Sequence, residues 1–501
     1  MPVAQSAQLF HNVIAGKRVE SRSGNTFESR NPAHWDQVLG VFPRSGKEDV
    51  AAAVAAAQAA FPSWRSLPAP SRGEILLKAA MLLEQRKEEL ARTMTQEMGK
   101  VLIEARGDVQ EAIDMGKYIA GGARRPTGET VPSELRNKWA MTTRVPIGTV
   151  GIITPWNFPM AIPSWKIFPA LLAGNTVVFK PAEDTPLCAL RLVEIFEEAG
   201  LPAGVLNIVF GLGEEAGEAL IRHPGVGAIA FTGSSEVGAH IGEVCGASLK
   251  RYSVELGGKN PIIVMDDADL SLAVDGALWG AFGTSGQRCT ASSRLIVHDK
   301  VYDRFLGELK EHVLGLRLGD GLDESVEVGP VINEKQLERI HSYTGIGREE
   351  GAKLVTGGNI AKTPATAGGF FYEPTVFAEV APTMRIAKEE IFGPTVVVLR
   401  VAGFEEAVAA ANESSYGLSA SIYTSNVNYA FAAMEALNTG IVYVNAPTIG
   451  AEIQLPFGGV KSTGNGHRDA GTLAMEQFTE VKSIYVDFSG RLQRAQIDTD
   501  R

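Results

Sequence analysis

Residues 149–159 read TVGIITPWNFP, and this stretch decides the class of fold. Its first six residues, TVGIIT, are mostly apolar or β-branched and stop at a proline-bounded turn, as expected of a buried strand. Further short apolar runs follow, each separated from the next by a stretch of helical pattern: TVVF (176–179), LNIVF (206–210) and AIAF (228–231). Strands of about five residues that alternate with helices of about ten predict βαβ units around a parallel sheet.

A second stretch of alternating strands and helices begins near Pro261. Its apolar runs are PIIVM (261–265), RLIVH (294–298), TVVVL (395–399), SASIYT (419–424) and IVYVN (441–445). The pattern predicts another α/β unit of comparable size. The helical region 48–120 precedes both units and is expected to pack against the first.

Two segments fit neither unit. Residues 127–147 carry larger side chains at alternating positions, which predicts an antiparallel ribbon: Trp139, Met141, Thr143 and Val145. Near the C-terminus, Ile484, Val486 and Phe488 alternate again. A late strand with no evident partner in its own domain is either an ordinary edge strand or one that pairs with another subunit by strand addition.

The composition excludes several classes of protein. The chain has 501 residues and a formal charge of −11 without runs of Lys or Arg, so neither nucleic acid nor a membrane is expected as a partner. Its three cysteines are too few for a disulfide framework and too widely spaced for a zinc site. The eight histidines show no ligand spacing, so no metal is predicted. The first residues lack the features of a signal peptide, which favours a cytoplasmic location.

Cys289 is the cysteine whose surroundings favour chemistry. It lies in FGTSGQRCTA (282–291), a polar, glycine-rich segment that follows an apolar helix. Small neighbours let the backbone approach a ligand closely, and the charge of Arg288 is expected to favour the thiolate. A structural cysteine in a turn is the alternative. Cys188 and Cys245 fall in helical stretches and are expected to be packing residues.

A nucleophile that forms an acyl intermediate needs a base to activate water and donors for an oxyanion. Glu255 ends a strand in SVELGGKN (253–260), where glycines suit a base that must move between water and substrate. A turn cap or a pair with Lys259 is the alternative. Asn157 follows another strand end between two prolines, and its amide is a neutral oxyanion donor or simply a turn residue.

Three segments are candidates for binding a nucleotide. GLGEEAG (211–217) matches a dinucleotide fingerprint only weakly, because three residues and not two precede its last Gly. GSSEVG (233–238) follows a strand and opens a helix, which suits a pyrophosphate or a plain helix cap. Lys180 and Glu183, in KPAE at a strand end, either bind ribose hydroxyls or form a surface pair.

The chain resembles the aldehyde dehydrogenase superfamily from about residue 20 to residue 490. Seven motifs occur in the family's order: PWNFP, FKPAE, FTGS, VELGGKN, GQRCT, EEIFGP (389–394) and PFGGVKSTGNG (456–466). The resemblance implies an α/β fold with a Rossmann-like NAD-binding domain, an α/β catalytic domain and a small β oligomerisation element. The corresponding residues are 1–126 with 148–255, then 256–455, then 127–147 with 480–490. Such subunits form homodimers or homotetramers, which favours strand addition for the late strand.

The resemblance also implies roles for individual residues. Cys289 is the nucleophile that attacks the aldehyde, Asn157 and the Cys289 backbone N–H hold the oxyanion, and Glu255 activates the water that releases the acid. The expected cofactor contacts are Lys180 and Glu183 at the adenosine ribose, Ser234 at the pyrophosphate and Glu390 at the nicotinamide ribose beside Phe392, together with Thr154, Pro155, Trp156, Gly213, Phe231, Gly233 and Leu256. Because a carboxylate at position 183 repels a 2′-phosphate, NAD is favoured, although Lys180 still admits some NADP.

The implied substrate is a small aldehyde in a tunnel lined by Phe158 and Phe457. Thr290 and the loop PTIGAEIQLPFGG (447–459) resemble branches that oxidise carboxylate-bearing semialdehydes, and 449–453 is similar to the α-aminoadipic semialdehyde dehydrogenase branch. Glu452 argues against such a substrate, because a carboxylate in the tunnel would repel it. The alternative functions are a cofactor-independent thiol esterase or acyltransferase, a non-catalytic scaffold of the same fold, and acyl transfer to coenzyme A.

Overall fold

The computed structural model describes residues 8–125 and 127–498. The strands are β1 (Asn12–Ile14), β2 (Lys17–Val19), β3 (Thr26–Asn31), β4 (His34–Pro43), β5 (Thr130–Val131), β6 (Lys138–Pro146), β7 (Thr149–Ile153), β8 (Thr176–Lys180), β9 (Leu206–Ile208), β10 (Ala228–Thr232), β11 (Arg251–Glu255), β12 (Asn260–Val264), β13 (Ser292–His298), β14 (Lys353–Thr356), β15 (Thr375–Ala378), β16 (Thr395–Val401), β17 (Tyr416–Gly417), β18 (Ser419–Tyr423), β19 (Ile441–Val444), β20 (Val460–Lys461) and β21 (Thr479–Asp487). The α-helices are α1 (Lys47–Ser66), α2 (Ala69–Gln85), α3 (Lys87–Met98), α4 (Leu102–Gly121), α5 (Ala161–Leu172), α6 (Pro186–Glu198), α7 (Glu218–Arg222), α8 (Ser235–Ala247), α9 (Leu270–Phe282), α10 (Asp299–Gly315), α11 (Glu334–Glu349), α12 (Arg385–Lys388), α13 (Phe404–Asn412) and α14 (Val427–Ala436).

The first sheet has the strand order β11-β10-β7-β8-β9-β1-β2. The five neighbouring strands β11, β10, β7, β8 and β9 run parallel to one another. Parallel strands need crossover connections, and helices such as α5, α6 and α8 provide them. The four apolar runs predicted as strands between residues 149 and 231 are β7 to β10. The polar ends of these strands therefore meet along one edge of the sheet, where ligands bind in open α/β folds.

Helix α5 packs beneath this edge and is buried along its whole length. Its residues are apolar on every side except for Ser164 and Lys166, so both faces contribute to the largest core of the protein. Asp108 of α4 accepts a hydrogen bond from the backbone N–H of Ala161 at 2.7 Å, which satisfies a donor at the first turn of α5. The start of α5 is thus fixed directly after the PWNFP turn.

The second sheet has the order β14-β15-β16-β13-β12-β18-β19, with β14 antiparallel and its other neighbours parallel. The five predicted runs of the second unit are β12, β13, β16, β18 and β19. Strands β14 and β15 were not predicted, because each has four residues and KLVT carries little apolar pattern. The described sheets match the predicted α/β class, with parallel strands at the centre of both.

The late strand β21 pairs with β6 of the same chain, antiparallel, from Thr479 opposite Pro146 to Asp487 opposite Lys138. The two segments that the resemblance groups together, 127–147 and 480–490, thus pair with each other within the chain; apolar alternation reveals a strand but not its neighbour. The three-stranded sheet has the order β21-β6-β5, so β21 remains an edge strand. Tyr485 is 68% exposed there, and Val481 and Val486 are also exposed.

Strands β1 to β4 precede the helical region and were missed by sequence analysis. β1 and β2 have three residues each, and residues 17–19 are KRV, too short and too polar for a periodic signal. The predicted helical region 48–120 contains α1 to α4. Residues 1 and 126, the predicted limits of the first segment of the NAD-binding domain, lie outside the described residues. The domain boundaries therefore stay a prediction.

Within residues 8–125 and 127–498, no helix combines the length and the apolar character needed to cross a bilayer. In the same part of the chain, no group of three or more His, Cys, Asp or Glu side chains is placed to hold a metal ion.

Candidate active site

Two cavities meet at the edge formed by the ends of β7, β8, β10 and β11. One has a volume of about 420 Å³ and contains Cys289 and Glu255; we call it the thiol cavity. The other has a volume of about 880 Å³ and follows the first sheet's edge; we call it the crevice. Thr232, the last residue of β10, lines both cavities, so a ligand in the crevice reaches the thiol cavity at this residue.

Cys289 lies in the loop between α9 and β13, here called the nucleophile loop (residues 283–291). Thr284 and Ser285 have φ angles of 52° and 53°, in the left-handed region that costs a non-glycine residue roughly 1–2 kcal/mol. The Cys289 carbonyl accepts a 2.7 Å hydrogen bond from the Asn260 side chain. A Cβ on Gly258 would lie 2.3 Å from that same carbonyl, so only glycine lets the VELGGKN segment approach this closely.

The thiol of Cys289 is in its neutral form in the described arrangement. Desolvation, followed by the charges of Glu390 and Glu255, raises the pKa of Cys289 to about 12, although the Thr290 and Cys289 backbone N–H groups oppose this. The expectation that Arg288 favours the thiolate is therefore wrong. Its guanidinium is directed at Glu104, 2.9 Å away, and is not among the main groups that set the pKa of Cys289.

Glu255 is the last residue of β11 and is only 4% exposed. Among the described residues, no group makes a hydrogen bond of ordinary geometry to either carboxylate oxygen, although the Gly459 backbone N–H lies near enough to lower the pKa slightly. Burial raises the pKa of Glu255 well above its usual value, and the nearby charge of Asp469 raises it further, while Lys166 lowers it. An unpaired buried carboxyl in the same cavity as a thiol has the properties of a proton acceptor.

The position of Glu255 depends on the segment that precedes β21. A Cβ on Gly458 would lie 2.5 Å from Glu255 Oε1, and Gly458 has a φ of 146°. The backbone of Glu255 also pairs with that of Gly464 in a single antiparallel β-bridge. The PFGGVKSTGNG motif thus forms the wall against which the carboxyl group rests, which its sequence alone did not reveal.

Asn157 is buried at the start of the PWNFP turn, and its amide is directed at the nucleophile loop. Its Nδ2 donates to the Gln287 carbonyl at 3.0 Å, two residues before Cys289, and among the described residues its Oδ1 has no hydrogen-bond partner. The structure therefore brings Asn157 into contact with the loop that carries the predicted nucleophile. In this arrangement the amide supports the loop.

The crevice contains most of the residues predicted to bind the cofactor: Thr154, Pro155, Trp156, Lys180, Glu183, Gly213, Phe231, Gly233 and Ser234. Lys180 Nζ and Glu183 Oε2 are 2.9 Å apart, and Lys180 is buried there while Glu183 is partly exposed. Ser234 caps α8, a helix of 13 residues, by accepting from the Val237 N–H at 3.3 Å. A helix N-terminus beside a Lys–Glu pair fits a dinucleotide, with its pyrophosphate at the helix and its ribose at the carboxylate.

Three other predicted cofactor residues lie outside the crevice lining. Leu256 lines the thiol cavity. Glu390 and Phe392 line a small cavity behind the nucleophile loop, where Glu390 accepts from the Gly258 N–H at 2.9 Å and burial raises its pKa to about 7. Phe392 packs edge-on against Trp156 with 5.4 Å between ring centroids, so it borders the crevice through that ring.

Sequence analysis missed part of the crevice wall. Its far side is formed by the start of α11, with Asn333, Lys335, Gln336 and Arg339. Gln336 donates to the Phe392 carbonyl at 2.6 Å and Arg339 donates to the Glu390 carbonyl at 2.7 Å. Such polar residues at a helix start look like ordinary surface residues in a sequence, so no signal pointed to them.

The thiol cavity contains the three residues predicted to contact substrate: Phe158, Thr290 and Phe457. The centroid of the Phe457 ring lies 4.8 Å from that of Trp165. Trp279 also lines the cavity and is 51% exposed. Sequence analysis did not anticipate the charged part of the lining, which comprises Glu104, Asp108, Glu111, Arg288 and Asp469. Glu452 is exposed and does not line the cavity, so the objection it raised to an anionic substrate falls away.

The charges of the thiol cavity are balanced in pairs. Lys100 Nζ lies 2.8 Å from Asp108 and stands 3.8 Å above the centre of the Phe158 ring. Desolvation, then the charge of Asp108, raises the pKa of Glu111 to about 8, so this carboxyl is largely protonated near neutral pH. The cavity therefore offers an apolar channel with one guanidinium and one neutral carboxyl donor.

The other two cysteines are buried away from these cavities. Burial raises the pKa of Cys188 well above its usual value and also raises that of Cys245. Buried neutral thiols of this kind are packing residues, as predicted.

Comparison with known proteins gives a consistent result. The sequence profile described as "Aldehyde dehydrogenase family" matches residues 19–484. The chain is 43% identical to the α-ketoglutaric semialdehyde dehydrogenase of Bacillus subtilis (strain 168), covering 97% of this chain and 100% of the relative. It is also 43% identical to the phenylacetaldehyde dehydrogenase of Pseudomonas fluorescens, covering 97% and 98%.

A solved structure extends the likeness to three dimensions. The betaine aldehyde dehydrogenase of Staphylococcus aureus, crystallised with NAD+, superposes with a TM-score of 0.94 at 36% identity and covers 96% of this chain and 95% of its own. The thiol cavity, the adjoining crevice and these likenesses agree, and the chain belongs to the aldehyde dehydrogenase family.

Proposed function

We propose that this protein oxidises a short aldehyde that carries a carboxylate at its far end, giving the dicarboxylate, with NAD+ as the hydride acceptor. The predicted aldehyde oxidation and the use of NAD are confirmed by the family and by NAD+ complexes of its members. The carboxylate is the new part. The observation that carries it is Arg288, whose guanidinium lines the thiol cavity directly before the nucleophile.

The first chemical step is the attack of Cys289 Sγ on the aldehyde carbon. Because the thiol is neutral, its proton needs an acceptor, and the Glu255 carboxyl group, which lines the same cavity, accepts it when ionised. The carbonyl oxygen becomes an oxyanion, for which the Asn157 amide and the Cys289 N–H are the proposed donors. Asn157 must then exchange its bond to Gln287 for the new acceptor.

The second half of the reaction releases the acid. The crevice residues would hold NAD+, which would supply the hydride acceptor; loss of the hydride leaves the substrate carbon bonded to Cys289 Sγ as a thioester. Glu255 first releases to solvent the proton that it took from the thiol; it then takes a proton from water, the hydroxide adds to the thioester carbon, and the carbon–sulfur bond breaks with Cys289 leaving as the thiolate. Lys180 and Glu183 are proposed to hold the adenosine ribose, and the start of α8 at Ser234 the pyrophosphate.

The substrate's distant carboxylate is recognised at the guanidinium of Arg288. Arg288 is held 5.5 Å above the Phe158 ring and 5.9 Å from that of Trp279, so its position is fixed by two aromatic rings and Glu104. The neutral Glu111 carboxyl is a second donor to an anion. The name of the Bacillus subtilis relative, an α-ketoglutaric semialdehyde dehydrogenase, is in keeping with such a substrate.

The alternative functions are less well supported. A thiol esterase needs no dinucleotide, yet the crevice of about 880 Å³ ends at the thiol cavity. A non-catalytic scaffold gives no reason to keep a buried, unpaired Glu255 beside a thiol, which is costly for the fold. Acyl transfer to coenzyme A is not needed while a carboxyl group is present to activate water.

We also propose that the protein is a cytoplasmic homodimer or homotetramer whose subunits associate through the exposed edge of β21. Its free edge presents Val481 and Tyr485, both largely exposed, and unpaired edges of this kind invite strand addition.

The substrate proposal is tested by the ratio of two kcat/KM values with NAD+. One is for a semialdehyde ending in a carboxylate, the other for the aldehyde of equal length ending in a methyl group. The ratio should favour the carboxylate in the parent and fall roughly 10- to 100-fold in Arg288→Met, because a charge-assisted contact is lost. Arg304→Met, at an exposed pair with Glu308, is the matched control. A parent enzyme that prefers the methyl-ended aldehyde would refute the carboxylate.

A further inference from the structure

We propose that Glu104 is a positioning residue for the nucleophile loop, acting on Cys289 through the backbone of Thr284 and the side chain of Arg288. The inference rests on the proposed function, since it takes Cys289 as the nucleophile. Glu104 lies in α4, more than a hundred positions before Cys289 in the chain, and would help to fix the position of the Cys289 sulfur.

Glu104 makes four contacts with two residues of this loop. Its Oε2 accepts from the Thr284 backbone N–H at 2.8 Å and its Oε1 accepts from the same N–H at 3.0 Å. Thr284 Oγ1 also donates to Oε2 at 3.2 Å, and Arg288 Nη2 donates to Oε1 at 2.9 Å. Arg288 Nε closes the ring by donating to Thr284 Oγ1 at 3.0 Å. One carboxylate thus ties both ends of the turn that leads into Cys289.

The backbone held in this way is not one that the loop adopts by preference. Thr284 and Ser285 are consecutive non-glycine residues with left-handed φ angles, and Gly286 follows at a φ of 69°. Such conformations persist only where surrounding contacts hold them, and they cluster at functional sites. Ser285 Oγ donates to the Gly329 carbonyl at 2.7 Å and Gln287 Nε2 donates to the Thr284 carbonyl at 3.3 Å, so Glu104 supplies one of several contacts that hold the strained turn.

The charge of Glu104 has a second consequence. It keeps the Arg288 guanidinium between the Phe158 and Trp279 rings, where it faces the cavity. Without that carboxylate, the guanidinium loses its counter-ion and the turn loses its N–H acceptor together. The Glu104 side chain therefore sets both the orientation of Cys289 Sγ and that of the Arg288 guanidinium.

The test compares Glu104→Ala with Glu104→Gln, which keeps an oxygen acceptor for Thr284 but removes the charge. In Glu104→Ala, kcat with a methyl-ended aldehyde should fall about 100-fold, as expected of a misplaced reacting group, while KM for NAD+ changes less than about twofold. Glu104→Gln should restore at least about a tenth of the parent kcat. The exposed Glu88→Gln, whose partner is Arg106, is the control and should match the parent.

A second readout separates positioning from a general loss of stability. The rate at which iodoacetamide alkylates Cys289, followed by peptide mass spectrometry below the unfolding temperature, should change at least about fivefold in Glu104→Ala, because the loop no longer shields the thiol in the same way. A fall in kcat with an unchanged alkylation rate overturns the proposal, as does an unchanged kcat. Since neither readout uses a carboxylate-bearing substrate, failure of the substrate proposal leaves both intact.

Discussion

Lys166 Nζ and Asp469 Oδ2 lie 2.7 Å apart although the two residues are separated by 303 positions in the chain, and both side chains are almost fully buried. The pair acts on Glu255 with opposite signs: Asp469 raises the pKa of that carboxyl and Lys166 lowers it. The pKa of the proposed base, Glu255, is therefore set in part by two opposite charges from segments that are distant in the sequence.

Removing the Asp469 charge should lower the pKa of Glu255, since the group that raises it is gone and Lys166 remains. In Asp469→Asn, the acidic limb of the kcat/KM profile should therefore move to lower pH. Leaving Lys166 buried without its partner should also cost about 3–5 kcal/mol of stability. The exposed Asp303→Asn, next to Arg400, is the control. An acidic limb that moves to higher pH would contradict this assignment.

In the protein without cofactor, iodoacetamide should alkylate Cys289 slowly at neutral pH and faster at each higher pH. Because desolvation and two carboxylates raise the pKa of Cys289 to about 12, the reactive thiolate is scarce at pH 7 and increases about tenfold per pH unit. The iodoacetamide rate at Cys289 should still be rising at about pH 10. A rate that levels off by about pH 10, as expected of an ordinary thiol with a pKa of about 8.5, would show that the sulfur is not desolvated.

Glu183 should decide between the two nicotinamide cofactors. In Glu183→Gln, the carboxylate that favours the ribose hydroxyls and repels a 2′-phosphate is lost, and Lys180 is freed from its 2.9 Å pair. We expect kcat/KM for NAD+ to fall roughly 10-fold and the NADP+ to NAD+ ratio to rise. Glu89→Gln, in an exposed pair with Arg86, should leave the ratio unchanged. An unaltered ratio in Glu183→Gln would place the ribose elsewhere.

Gly458→Ala should slow release of the acid more than hydride transfer. The new Cβ would lie 2.5 Å from Glu255 Oε1 and displace the group that activates water. Steady-state turnover should fall by roughly 100-fold. A first burst of NADH should remain, but it should form more slowly than in the parent because Glu255 also accepts the thiol proton.

Gly351→Ala is the matched control for this substitution. Gly351, outside both cavities, also has a positive φ, of 92°, but a Cβ added there would have no neighbouring atom within 4 Å. It therefore carries similar backbone strain without the contact to Glu255. Equal losses in the two variants would assign the effect to strain alone.

Sequence analysis recovered the parts of the fold whose signal is local. Apolar runs such as TVVF and RLIVH stand out because a strand buried on both faces needs continuous apolar residues. The three-residue strands β1 and β2 carry no such run. The pairing of β21 with β6 depends on a register across more than three hundred residues, which no local pattern encodes.

The candidate site shows the same division. Cys289, Glu255 and Asn157 stand at loop and strand ends in recognisable motifs, so their residue types and positions pointed to them. Glu104 and Asp469 act through charge and hydrogen bonds at places where the sequence around them is ordinary. The raised pKa of Cys289 likewise comes from burial and from Glu390, and it reverses what the adjacent Arg288 suggested.

The wall around Glu255 also bears on how the protein is made. Gly458, Gly464 and Asp469 all reach that carboxyl group from the segment just before β21. Ribosomes synthesise chains from the N-terminus, and domains fold as they emerge. A nascent chain therefore carries the Cys289 thiol for some time before the surroundings of its base exist. Catalytic competence thus requires this late segment as well as the loop that carries Cys289.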